Sequence, residues 1–106
     1  MSDWEQHVLG PFEKYAWEEV PLGVDFAPWI GGDTVQASDV AVFTTADVDV
    51  STSMLGTEDR VGTIVRAIVK GGTNDTTYYV RYRVETTTRK LECRVQLDVV
   101  NTKLAG

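Results

Sequence analysis

The chain has 106 residues, 42% hydrophobic and 25% charged, enough for one domain around a single core and too few for a second. Its one cysteine, Cys93, excludes an intrachain disulfide, and Cys93 with the sole histidine, His7, cannot supply the clustered ligands of a zinc site. A net charge of −6 opposes a phosphate-tracking surface, no run approaches the roughly eighteen apolar residues of a membrane span, and MSDWEQHVLG has neither a basic leader nor an apolar stretch, so neither nucleic acid nor membrane is an expected partner.

Residues 1–19 place Trp4, Phe12, Tyr15 and Trp17 among Asp3, Glu5, Glu13, Glu18 and Glu19, with Gly10-Pro11 breaking any helix. They read as an extended aromatic and acidic N-terminal arm, followed by a domain over 20–106. Disordered segments are poor in aromatics, so the arm should dock on its own domain or on a neighbour. The next runs predict strands over Val20 to Phe26 and Ser38 to Thr44, separated by a corner from Pro28 to Asp33. Asp47 to Ser51 suggests another strand with Val48 and Val50 inward, and Met54 to Asp59 a turn or loop.

The alternation becomes regular after Gly62. Val61, Thr63, Val65, Ala67 and Val69 share one face of a strand partly covered on both sides. A turn-rich segment from Gly71 to Thr76 leads to a strand with Tyr78, Val80, Tyr82 and Val84 inward, then to one with Leu91, Cys93, Val95, Leu97 and Val99 inward. A hairpin turn at Thr87-Thr88 would pair Glu85 with Lys90, Arg83 with Glu92, Val84 with Leu91 and Tyr82 with Cys93, so charge and apolar pattern agree on one register. That register also opposes Arg81 to Arg94, a like-charge pair that asks for an acidic neighbour unless both side chains splay into water. Tyr78, after a glycine-rich turn, stands where a tyrosine corner would bond its hydroxyl back to the backbone, or where an ordinary inward tyrosine would lie.

Strands about every ten residues, with turn chemistry between them and no helical stretch, predict an all-β fold: an immunoglobulin-like antiparallel β-sandwich. Nothing points to catalysis or a cofactor. The Gly31-Gly32 and Gly71-Gly72 pairs lack phosphate-loop spacing, and Asp47 with Asp49 reads as a solvated pair rather than an acid and base. Charge divides unevenly: residues 1–60 hold twelve acids and two bases, a balance of −10, and 61–106 hold four acids and eight bases, a balance of +4. The expected interface is therefore the aromatic arm, an acidic group at Asp47, Asp49, Glu58 and Asp59, and a basic strip of Arg81, Arg83 and Arg94, with head-to-tail attraction between copies. An alternative is a carbohydrate- or ligand-binding sandwich in which Trp4, Trp17 or Trp29 forms a stacking platform.

The segment Val24-Asp25-Phe26-Ala27-Pro28-Trp29-Ile30-Gly31-Gly32-Asp33-Thr34-Val35, then Lys70-Gly71-Gly72-Thr73, then Thr77-Tyr78-Tyr79-Val80, resembles small virion proteins of tailed bacteriophages known as fiber-tail adaptors. The resemblance spans about Val20 to Val100 and leaves the arm unmatched. Phe26 stands where the family usually has Trp, and Asp75 and Thr88 where its turns have Gly. The resemblance implies that Asp25, Trp29, Gly32, Asp33, Gly71, Gly72 and Tyr78 are fold markers without catalytic roles. It further implies a virion structural protein, assembled in the host cytoplasm, that joins tail, neck or fiber components and copies of itself in a symmetric ring.

Overall fold

The computed structural model describes residues 7–101. Seven strands form two packed sheets: β1 (His7–Lys14), β2 (Val20–Asp25), β3 (Val35–Thr44), β4 (Leu55–Val61), β5 (Ile64–Val69), β6 (Thr76–Thr86) and β7 (Lys90–Val99). One sheet has the order β1-β7-β6-β3 and the other β2-β5-β4. Inward residues of both sheets build one core, from Val24, Val65, Ala67 and Val69 on one side to Val42, Val80, Tyr82, Cys93, Val95 and Leu97 on the other. Tyr82 is fully buried and its hydroxyl crosses the sandwich to donate to the Leu22 carbonyl at 2.8 Å.

The alternation of the last three strands carries directly into structure. Tyr78, Val80, Tyr82 and Val84 are buried on β6, as are Leu91, Cys93, Val95, Leu97 and Val99 on β7. The hairpin has the expected register, with Glu85 opposite Lys90, Arg83 opposite Glu92 and Arg81 opposite Arg94. Tyr78 does bond back to the preceding turn, its hydroxyl accepting from the Thr73 N–H at 3.0 Å.

The N-terminal half departs from expectation in four places. His7–Lys14 of the expected arm forms an edge strand, pairing in parallel with β7; Gly10-Pro11 falls at a register shift between Leu9 and Phe12, where a bulge on an edge tolerates proline. Asp47 to Ser51 is not a strand: a tight turn at Thr44–Asp47 and a single bridge between Phe43 and Asp49 leave Val48 exposed. Met54 to Asp59 is not a loop, because Leu55–Val61 pairs with β5; an edge strand with both faces wet needs no apolar alternation. Two single helical turns, α1 (Ala27–Ile30) and α2 (Ser51–Met54), also occur, each inserting one buried side chain, Ile30 and Met54, into the core.

Several predicted fold markers hold these junctions. Asp25 Oδ1 accepts from the Ala27 N–H at 2.9 Å and the Thr63 hydroxyl at 2.7 Å, tying the start of α1 to the β4–β5 turn. Asp33 accepts from the hydroxyls of Thr86 and Thr88, so the β2–β3 connection braces the β6–β7 hairpin. Gly31, ending α1, and Gly71 and Gly72 adopt positive φ. Asp75 takes positive φ as well, at 61°, which an Asp tolerates better than most side chains.

Candidate partner-binding surfaces

The outer face of the four-stranded sheet brings charged and aromatic side chains together. Period-two alternation brings Phe43 of β3 beside Tyr79 of β6, and Ala41 beside Arg81, which faces Arg94 of β7. The Arg81 guanidinium lies 4.6 Å from the Phe43 ring centroid, a cation–π stack, and its Nη2 is 3.6 Å from Asp39 Oδ2. Arg94 Nε donates to Glu92 Oε2 at 3.2 Å, while Arg83 Nε donates to Glu92 Oε1 at 2.8 Å. Burial raises the Glu92 carboxyl, but the hydrogen bonds from Arg83 and Arg94 outweigh it and hold the group below the ordinary carboxylate value. The opposed arginines are therefore flanked by acids, Asp39 on one side and Glu92 on the other.

These side chains enclose a hollow of about 230 Å³ lined by Phe43, Asp47, Tyr79, Arg81 and Arg94. Asp47 reaches it from the turn after β3. Thr44 Oγ1 accepts from the N–H groups of Ala46 and Val48, each at 3.2 Å, and the Asp47 N–H donates to Thr44 O at 3.0 Å, holding Asp47 at φ 64°. A shallower hollow of about 430 Å³ lies toward the β6–β7 turn, with Ala37, Val84 and Leu91 among its lining and charged side chains of both signs around them.

A different surface is presented between β1 and β2. The Tyr15–Glu18 turn is closed by the Glu18 N–H on Tyr15 O at 3.0 Å and by the Tyr15 N–H on Glu18 Oε1 at 2.7 Å. Beneath it Lys14 is fully buried, its Nζ donating to Tyr15 O at 2.7 Å and Gly71 O at 2.6 Å. At the tip of this pinned turn Trp17 is 91% exposed, with Phe12 and Tyr15 also on the surface.

The expected interface residues thus divide. Trp4 lies outside the described residues; Phe12, Tyr15 and Trp17 gather at the sheet edge. Asp47 joins Arg81 and Arg94 in one hollow, and Arg83 lies on the same face next to Glu92. Asp49 is turned to a local task, accepting from the Ser51 N–H at 2.8 Å at the start of α2. Glu58 and Asp59 lie on β4 of the other sheet, where Asp59 forms a two-pronged pair with Arg66 at 2.9 and 2.8 Å. Trp29 packs edge-on against Phe26, centroids 5.6 Å apart, and partly against the core, while Trp17 is exposed. The period-two pattern already puts Tyr79 outward beside Arg81, but nothing in the sequence joins Phe43 and Asp39 of β3 to them; the pairing of β3 with β6 does that. No group of three or more His, Cys, Asp and Glu is placed to hold a metal among the described residues.

Comparison with known proteins returns one family, described as podophage GP4 fiber-tail adaptor protein gp77, whose family model matches residues 14–98. A search of curated proteins returns no match.

Proposed function

The chain belongs to the podophage GP4 fiber-tail adaptor family, and from that premise we propose that it is a non-enzymatic link in the virion, joining tail, neck or fiber proteins by surface complementarity within a symmetric ring. The family match over residues 14–98 carries this reading. The surfaces support it: a mixed-charge aromatic face and a pinned exposed tryptophan suit protein contacts, in which Trp, Tyr and Arg dominate the binding energy. Ring symmetry would multiply modest single contacts into a firm joint.

The sandwich is read as immunoglobulin-like. Its orders β2-β5-β4 and β3-β6-β7 correspond to the B-E-D and C-F-G strands of that architecture, with the first strand moved beside the last. The Tyr78 bond to Thr73 N–H supports the same reading.

Tail particles assembled without this protein test the adaptor role. They should lack fibers by electron microscopy and regain them when the purified chain is added before the fibers. Fibers seated normally on particles lacking the protein would overturn the reading.

A further inference from the structure

Side chains on the outer face of the four-stranded sheet stand in cross-strand rows. Toward the β6–β7 turn, Ala37, Glu85 and Lys90 share one row, and Asp39, Arg83 and Glu92 the next; together they line the hollow of about 430 Å³. The following row, Ala41, Arg81 and Arg94, gains a fourth member from β1, where Val8 is level with Arg94. The first two rows have no fourth member among the described residues. β1 is described from His7, level with Cys93, whereas β7 starts at Lys90. From Lys90 to Glu92 the outer edge of β7 and one side of the hollow therefore stand open there, and an open strand edge invites a further strand.

The register of the neighbouring strand says which residues reach that edge. β1 and β7 are parallel and advance residue for residue from His7 to Leu9. Carried back along the chain, the same count sets Gln6 level with Glu92, Glu5 with Leu91, Trp4 with Lys90 and Asp3 with Arg89. Level residues on neighbouring strands share a face, so Trp4 falls in the outer row of Lys90 and Glu85. With strands about 4.8 Å apart, an indole there can lie along the Lys90 stem and over the hollow, its π face toward the ammonium. Asp3 and Glu5 fall on the other face beside Arg89, whose guanidinium donates to the Trp29 carbonyl at 2.9 Å. No Gly or Pro interrupts residues 2–9, and Trp is favoured in strands.

We propose that residues 3–6 continue β1 along the open edge of β7 in their own chain and lay the Trp4 indole into the hollow at Lys90. The occupant is the chain's own segment because the tether is short and already aimed. Trp4 is three residues before His7 and Lys90 three before Cys93, so both lie about 10 Å back along neighbouring parallel strands. The extension pairs the remaining edge of β7 and occupies Trp4, leaving Trp17 beyond the other end of β1 as the exposed tryptophan. The inference does not draw on the adaptor reading, and its test needs no virion.

Two measurements on the purified full chain test it, with circular dichroism checking that every variant keeps its fold. In a Cys93→Ala background, Gln6→Cys is combined either with Glu92→Cys, in the same row on the adjacent strand, or with Asp39→Cys, in that row on β3. Under mild oxidation the 6–92 pair should close within one chain about tenfold faster than the 6–39 pair, or faster still. Equal rates for the two pairs, or a linkage between chains, would overturn the proposal. Subtracting the fluorescence of Trp4→Phe from that of the wild type isolates the Trp4 emission. It should lie to the blue of the Trp17 emission obtained in the same way, resist acrylamide better, and move to the red in Lys90→Glu. A Trp4 emission as red and as readily quenched as that of Trp17 would sink the idea. So would a blue shift that appears only at concentrations where chains associate, which would assign the hollow to a neighbouring copy's arm.

Discussion

Gly72 and Gly32 show how similar backbone angles constrain a residue differently. Both have strongly positive φ, 95° and 90°, so an added side chain strains either backbone by about 1–3 kcal/mol. A Cβ at Gly72 would also stand 2.7 Å from Val99 Cγ2 and 3.1 Å from Met54 Cε, whereas at Gly32 it would meet nothing within 4 Å. Gly72→Ala should therefore lower the urea midpoint clearly more than Gly32→Ala. Cys93, fully buried on β7, offers a chemical probe. Burial first, and the Glu92 carboxylate second, push its thiol up to about 11, roughly 100-fold less thiolate at pH 8 than an ordinary cysteine. Iodoacetamide at pH 8 should leave the native protein unmodified and label it rapidly in urea. Glu58 titrates in the destabilising sense: although its side chain is exposed overall, partial desolvation, then the Asp39 charge, raise its carboxyl. Because its folded value lies above its unfolded one, the charged form is disfavoured in the fold as pH rises through these values. Glu58→Gln should raise Tm at pH 7, and the difference from wild type should vanish below about pH 4. No such sign was legible from the sequence, because Glu58 and Asp39 come from different sheets.

Strands differ in how openly their sequence declares them. β6 and β7 have one buried and one wet face, so side-chain alternation fixes both their existence and their pairing. The Arg81–Arg94 opposition followed from that pairing, and so did the need for nearby acids that Asp39 and Glu92 meet. β4 carries Thr57, Glu58, Asp59 and Arg60, all exposed, and nothing in that composition separates an edge strand from a loop; tertiary pairing with β5 decides it. The hollow was hidden for a related reason, since Phe43 and Asp47 reach it from a strand and turn far along the chain from Arg94. β1 was obscured by Gly10-Pro11, which local propensity reads as a break and a sheet edge accepts. With β1 in place the β7 edge is covered and Lys14 seals the join. Deleting residues 1–14 should expose the outer edge of β7 from Cys93 to Val99, lower stability and promote aggregation, measurable by thermal unfolding and light scattering. Lys14→Met, which strips donors from the Tyr15 carbonyl and the partly buried Gly71 carbonyl, should cost about 1 kcal/mol in urea unfolding while keeping the strand.

At the scale of the whole molecule, both sheets share one core and the Tyr82–Leu22 bond joins them across it. Unfolding should be a single cooperative transition by fluorescence and circular dichroism, and Tyr82→Phe, leaving the Leu22 carbonyl without its donor, should lower stability by about 1–2 kcal/mol without splitting that transition. The parallel pairing of β1 with β7 has a mechanical meaning too. His7 lies level with Cys93, and Lys14 with Val99, so His7 and Val99 are offset by about 20 Å along the strand axis. Tension applied at those two points draws the neighbouring strands past each other. Every hydrogen bond between them then shares the load in shear, instead of opening one after another like a zip.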